Sequence, residues 1–213
     1  MPSIITARDE EILAALDKTP LTAVQLLTMS DIFRNGRFTS ERKVRARLQK
    51  LASGPVRQAR YTGLAGRIGS PSYYMLTPLG FRMLHGNDAR PHSKHAFKDI
   101  GVARQQHTFA LAEFVVHTLR SIHAFQLPLL DYYRENTLKL TIARDRLLPD
   151  CAFSVALDGK EFHFMVEIDC GSEPIHSVRS VHAWQRKVEL YESYAEQSSQ
   201  RWYIRFVHSM PTS

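Results

Sequence analysis

Apolar positions along the chain change their period twice, and those changes divide it. Over the first fifty residues they recur at helical spacing. Ile12, Leu13 and Leu16 form one stripe behind Thr6, which can cap a helix with Asp9 as the third-position acid of a short capping box. Val24, Leu26, Leu27 and Met29 follow Thr22, and Gln25 completes a second capping box. A third helix is predicted from Thr39 or Ser40 through ERKVRARLQKL, with Val44, Leu48 and Leu51 inward. After Gly54-Pro55 the run VRQARYTGLAGRIGSPSYYML reads as two strands around a glycine-rich loop, and Thr77-Pro78 opens a fourth helix with proline at its first position. Three helices, a two-stranded wing and a closing helix predict a winged helix-turn-helix over residues 1–86. Residues 87–100 are polar and aperiodic and read as a linker. From 101 to 213 the pattern predicts helix, strand, strand, strand, helix, strand, an αβββαβ order of the α+β or α/β class.

Charge sharpens the picture of the first part. The 213-residue chain carries a net +7. Between Asp31 and Arg67, ten basic residues face only Asp31 and Glu41, a net of +8, so everything else sums to −1. The basic groups Arg42, Lys43, Arg45, Arg47 and Lys50 lie on the third helix, and Arg57, Arg60 and Arg67 on the wing. Those are the two elements of a winged helix that touch a duplex, so double-stranded DNA is the expected partner. A membrane is not expected: no apolar run approaches the roughly 18 residues of a span, and the N-terminus lacks a signal segment. A cytoplasmic location follows as an expectation. Cys151 and Cys170 lack zinc spacing and read as small buried hydrophobes. His85, His92 and His95, in and beside the linker without paired cysteines, read as solvated.

The second part holds candidate chemistry. Asp150 in LLPD and Glu167 in FMVEID ride on strand-like runs, and Lys187 in WQRKVELY rides on a helix. The dipeptide Asp158-Gly159 predicts a tight hairpin between the two strands. Its turn is equally distant from both acids, so pairing would bring Asp150 beside Glu167 and Asp169. Alternation sets Asp150, Ala152 and Ser154 with His163, Glu167 and Asp169 on one face, opposite Phe153, Val155, Phe162 and Phe164. Oxygen ligands on adjacent strands suit one hard cation, Mg²⁺ or Mn²⁺. Around the helix stripe of Val181, Trp184, Val188, Tyr191 and Ala195, Lys187 falls roughly 75° off centre, where its stem packs and its ammonium reaches out.

Asp150, then VEID, then a helical lysine on this element order resembles the PD-(D/E)xK nuclease superfamily. With TARDEEILAAL, YYMLTPLG, QQHTFALAEF, LLPDCAF and FMVEIDCGSEP added, the whole chain resembles the replication-relaxation family of plasmids and mobile elements. The resemblance implies a winged helix joined to a nuclease-like core. It further implies Asp150 and Glu167 as metal ligands, Glu113 as a helix acid of the site, and Lys187 as a catalytic lysine moved from strand to helix. The chain departs from the superfamily pattern at Asp169, where a lysine is expected. Either Lys187 substitutes, or Asp169 is a further ligand, or the core is inactive. The expected function is therefore a metal-dependent endonuclease or nickase in replication or mobilisation. The alternative is a catalytically silent DNA-binding regulator that dimerises or contacts replication proteins.

Overall fold

The computed structural model describes residues 5–64, 70–91, 93, 96–142, 145–170, 184–198 and 200–208. The chain is mixed α+β and divides into two compact units, Met1–Ala124 and Phe125–Ser213.

The first unit begins with α1 (Ala7–Lys18), β1 (Leu21–Thr22), α2 (Ala23–Met29), a 3-10 turn (Ser30–Ile32) and α3 (Glu41–Leu51). The capping chemistry read from the sequence is present. Thr6 N donates to Asp9 Oδ2 at 2.7 Å, Thr22 N to Gln25 Oε1 at 2.8 Å, and Lys43 N to Ser40 Oγ at 3.4 Å. β2 (Val56–Arg60) and β3 (Ser72–Leu76) pair antiparallel, and β1 adds to β3, giving the order β1-β3-β2. Ile12, Leu16, Leu26, Val44, Leu48 and Val56 are buried in this unit.

α4 (Pro78–His85) starts at the Thr77 cap, whose Oγ1 accepts from Gly80 N at 3.2 Å. Gly80 lets the helix approach the preceding turn, since a Cβ there would sit 2.1 Å from the Pro55 carbonyl oxygen. α5 (Val102–Ala124) belongs to this unit as well. Gln105 Oε1 accepts from Thr62 N and Gly63 N at 2.6 and 2.7 Å, and Arg120 pairs with Asp31 at 2.8 Å. The division thus falls after α5, whereas polar composition points to 87–100. Periodicity marks α5 as a helix with buried faces, but it does not say which body those faces join.

The second unit is a four-stranded sheet, β4 (Leu129–Tyr133), β7 (Cys151–Leu157), β8 (Lys160–Asp169) and β9 (Trp202–His208), in the order β4-β7-β8-β9. β8 and β9 run parallel with α6 (Trp184–Gln197) between them in sequence, and the other pairs are antiparallel. Asp158 and Gly159 both take positive φ, 50° and 71°, as a two-residue hairpin between right-twisted strands requires. The first strand region of this part, residues 129–142, is interrupted after β4. Asn136 turns at φ 64°, and the chain then forms a small hairpin, β5 (Leu140–Ile142) with β6 (Asp145–Leu147). Asparagine tolerates that left-handed conformation, which a β-like pattern alone does not signal.

The central strands carry buried side chains on both faces. Ala152 and Met165 are buried on the face that also carries Asp150 and Glu167, where they pack with Leu140, Ile142, Leu147, Leu190 and Tyr191. On the opposite face Phe153 stacks on Phe164 at 5.0 Å, and Phe164 on Tyr203 at 5.5 Å. α6 meets its unit through Leu190, Tyr191 and Tyr194, so its buried stripe is centred away from Val188. Val181, assigned to that stripe from the sequence, lies outside the described residues.

Candidate functional site

The β7–β8 register determines where the acids fall. Ala152 pairs with Met165 and Cys151 with Val166, so the next position on each strand sets Asp150 against Glu167. Two hydrogen bonds extend the ladder to that point: Asp150 N donates to Val166 O at 3.0 Å, and Ile168 N to Asp150 Oδ2 at 2.7 Å. Glu167 is only 1% exposed. Lys187 Nζ donates to its Oε2 at 3.0 Å and Tyr191 OH to its Oε1 at 2.6 Å. Burial, and next the charge of Asp150, raise the Glu167 carboxyl to about 7, against the opposing pull of Lys187 and the Tyr191 hydrogen bond.

Lys187 is more enclosed than its position on the helical wheel implies, with 11% of its side chain exposed. The stripe centred on Leu190, Tyr191 and Tyr194 turns it toward the sheet rather than to the rim. Asp169 shares the face of Glu167, and its Oδ2 lies 2.8 Å from Nδ1 of His208, its register partner on β9. Cys151 points to the other face and forms no disulfide. Its thiol is pushed far up, by burial first and then by Asp150, Glu167 and Glu135.

Two residues of this neighbourhood escaped the sequence reading. Tyr191 was visible only as an apolar stripe member, although its hydroxyl ends on Glu167. Glu135, in the turn after β4, brings a carboxylate oxygen within 4.8 Å of one on Asp150. Nothing in its local sequence signals that, because the turn at Asn136 places it. Carboxylates on adjacent strands, one of them buried, are the kind of oxygen donor a hard divalent cation takes.

Glu113 lies on α5 in the first unit, where it accepts from Gln25 Nε2 at 2.7 Å and stands 3.8 Å from His117. The basic residues of this unit fall into two groups. Arg42, Lys43, Lys50 and Arg60 are exposed and make no ion pair among the described residues. Arg45 pairs with Glu41 along α3, and Arg57 with Asp99 at 2.7 Å, both at the surface. Arg47 is different, because its guanidinium forks onto Asp9, whose side chain is 1% exposed. Burial alone would raise the Asp9 carboxyl, but hydrogen bonds from Arg47 and Thr6 outweigh it and hold it below its ordinary value. A signal for this was present, since Asp9 shares the helical stripe of Ile12, Leu13 and Leu16. Arg67 lies outside the described residues, as do His92 and His95.

No helix among the described residues is long and apolar enough to cross a membrane. Searches of curated proteins and of solved structures returned no match. The profile of one family does match, over residues 15–205, reaching into both units and including Glu113, Glu135, Asp150, Glu167, Asp169 and Lys187. The chain therefore belongs to the replication-relaxation family.

Proposed function

We propose that this chain is a DNA-binding protein of a plasmid or other mobile element whose second unit is a PD-(D/E)xK-type nuclease or nickase using Mg²⁺ or Mn²⁺. The observation that carries the reading is the convergence of Asp150, Glu167 and Lys187 on one covered face of the sheet. Asp150 and Glu167 would hold the cation, with Asp169 as a further carboxylate on the same face. When bound there, it would polarise a water molecule and neutralise charge on the scissile phosphate. Lys187 would donate to the phosphate oxygens as negative charge grows on them. A role for Glu113 rests on the family resemblance alone.

The first unit supports a winged helix-turn-helix reading through its three helices and β1-β3-β2 sheet. α3 would enter the major groove with Arg42, Lys43, Arg45 and Lys50, while Arg57, Arg60 and Arg67 would follow phosphates from the wing. Arg47 would support α3 from behind, through Asp9. The setting would be the cytoplasm, with replication or mobilisation proteins, or a second copy of the chain, as further partners.

The test is incubation of supercoiled plasmid with the protein and Mn²⁺. Conversion to nicked or linear DNA by the wild type, lost in Asp150→Ala, is expected. Intact plasmid, or full activity in the variant, would sink the enzyme reading. Two features favour a silent regulator instead: Asp169 stands where the superfamily carries lysine, and both Glu167 oxygens are already engaged. A melting temperature indifferent to Mn²⁺ would select that reading.

A further inference from the structure

The two donors that reach Glu167 differ in kind. Lys187 brings a full charge to Oε2, and Tyr191 brings a neutral hydroxyl to Oε1. They are four residues apart on α6, so one face of one helix turn supplies both. The tyrosine is fixed independently of the acid. It is 2% exposed, and its ring meets Phe206 edge-on at 6.0 Å. Phe206 is itself the register partner of Glu167 on β9, and it also meets the Trp184 ring at 4.8 Å. Lys187 is held by a different kind of contact. Its Nζ lies 5.9 Å from the Trp184 ring at the end of a four-carbon stem with several torsions.

Charge then separates the two roles. A buried carboxylate stays ionised only with a counter-charge nearby, and here Lys187 supplies it. A divalent cation held by Asp150 and Glu167 would supply that charge instead, and it would repel the ammonium from a shared oxygen. The hydroxyl carries no charge and sits on the other oxygen, so it does not compete.

We propose that Tyr191 is a positioning residue for Glu167, holding Oε1 whether or not a cation is bound. Lys187, in contrast, is the counter-ion of Glu167 only until a cation takes over that charge. The exchange frees the Lys187 ammonium for phosphate at the moment the cation arrives, so the lysine is armed only in the loaded site. The inference rests on the cation reading above and adds to it a fixed donor and an exchangeable one.

Calorimetric titration of Mn²⁺ into the full chain tests it, using wild type, Tyr191→Phe and Lys187→Met. Tyr191→Phe is expected to bind Mn²⁺ about tenfold more weakly, the usual size of a lost outer-shell hydrogen bond. Lys187→Met is expected to bind Mn²⁺ more tightly than wild type while losing nicking activity. A purely structural role would shift both variants in the same direction, so the opposite signs are the diagnostic. Unchanged affinity in Tyr191→Phe, or equal or weaker binding in Lys187→Met, overturns the proposal. If Tyr191→Phe does not fold, the sign of the Lys187→Met change still decides. Wild type that binds Mn²⁺ and nicks DNA, with Tyr191→Phe binding unchanged, removes this inference alone. Wild type that takes up no Mn²⁺ removes the cation reading with it.

Discussion

Asp150 and Glu167 face one another across the start of the β7–β8 ladder, tied there by the hydrogen bond from Ile168 N to Asp150 Oδ2 at 2.7 Å. Two carboxylates so placed repel, and burial adds to that at Glu167, whose carboxyl is raised to about 7, with burial the first cause and Asp150 the second.

Replacing Asp150 with Asn keeps an acceptor for Ile168 N and removes the like charge. Without added metal, the variant should be at least as stable as wild type in urea. With Mn²⁺ at about 100 times its dissociation constant, wild type should gain about 2.7 kcal/mol and the variant almost nothing. An equal Mn²⁺ gain in both proteins would place the cation elsewhere.

Arg47→Met should destabilise the first unit by about 3 kcal/mol near neutral pH, because it strands the buried Asp9 carboxylate without its partner. The sign with pH follows from the depressed Asp9 carboxyl. Its contribution is complete above the unfolded value of about 3.8 and is lost as pH falls through the lower folded value. Urea unfolding of wild type and variant at a series of pH values should therefore show the gap closing in acid. A gap that widens in acid would contradict the ion-pair account.

The exposed cations of α3 should behave differently from Arg47. Arg42→Ala and Lys50→Ala should each lower the slope of log affinity for duplex DNA against log salt by about one. Fluorescence anisotropy at several salt concentrations reads this directly. Slopes that stay at the wild-type value would remove these side chains from the interface.

Gly80→Ala should lower stability by about 1–3 kcal/mol, since its Cβ would meet backbone at the Pro55 carbonyl and α4 would have to move. Thermal unfolding checks this. A melting temperature equal to that of wild type would show that the turn yields freely.

Much of this arrangement was legible in the sequence, and what was not has identifiable causes. Asp158-Gly159 announced the hairpin, and counting outward from it placed Asp150 opposite Glu167, because a two-residue turn leaves no freedom in register. The caps at Thr6, Thr22 and Thr77 were legible because a cap is a local hydrogen bond between residues close in sequence. Arg47 on Asp9, in contrast, joins positions 38 residues apart. Nothing local distinguishes Arg47 from Arg45 beside it. Tyr191 has an apolar ring and a polar tip, and periodicity registers only the ring. Lys187 reads as marginal when the stripe is drawn through Val181, Trp184, Val188, Tyr191 and Ala195, whereas the side chains that pack in the core are Leu190, Tyr191 and Tyr194.

The central claim is that Asp150 and Glu167 together hold a divalent cation. Anomalous-scattering density from a crystal soaked in Mn²⁺ tests it most directly. The account predicts one strong peak within bonding distance of an oxygen from each residue, with the Tyr191 hydroxyl still on Glu167. Density with no peak between those carboxylates, or with Mn²⁺ bound only at other acids, would contradict it.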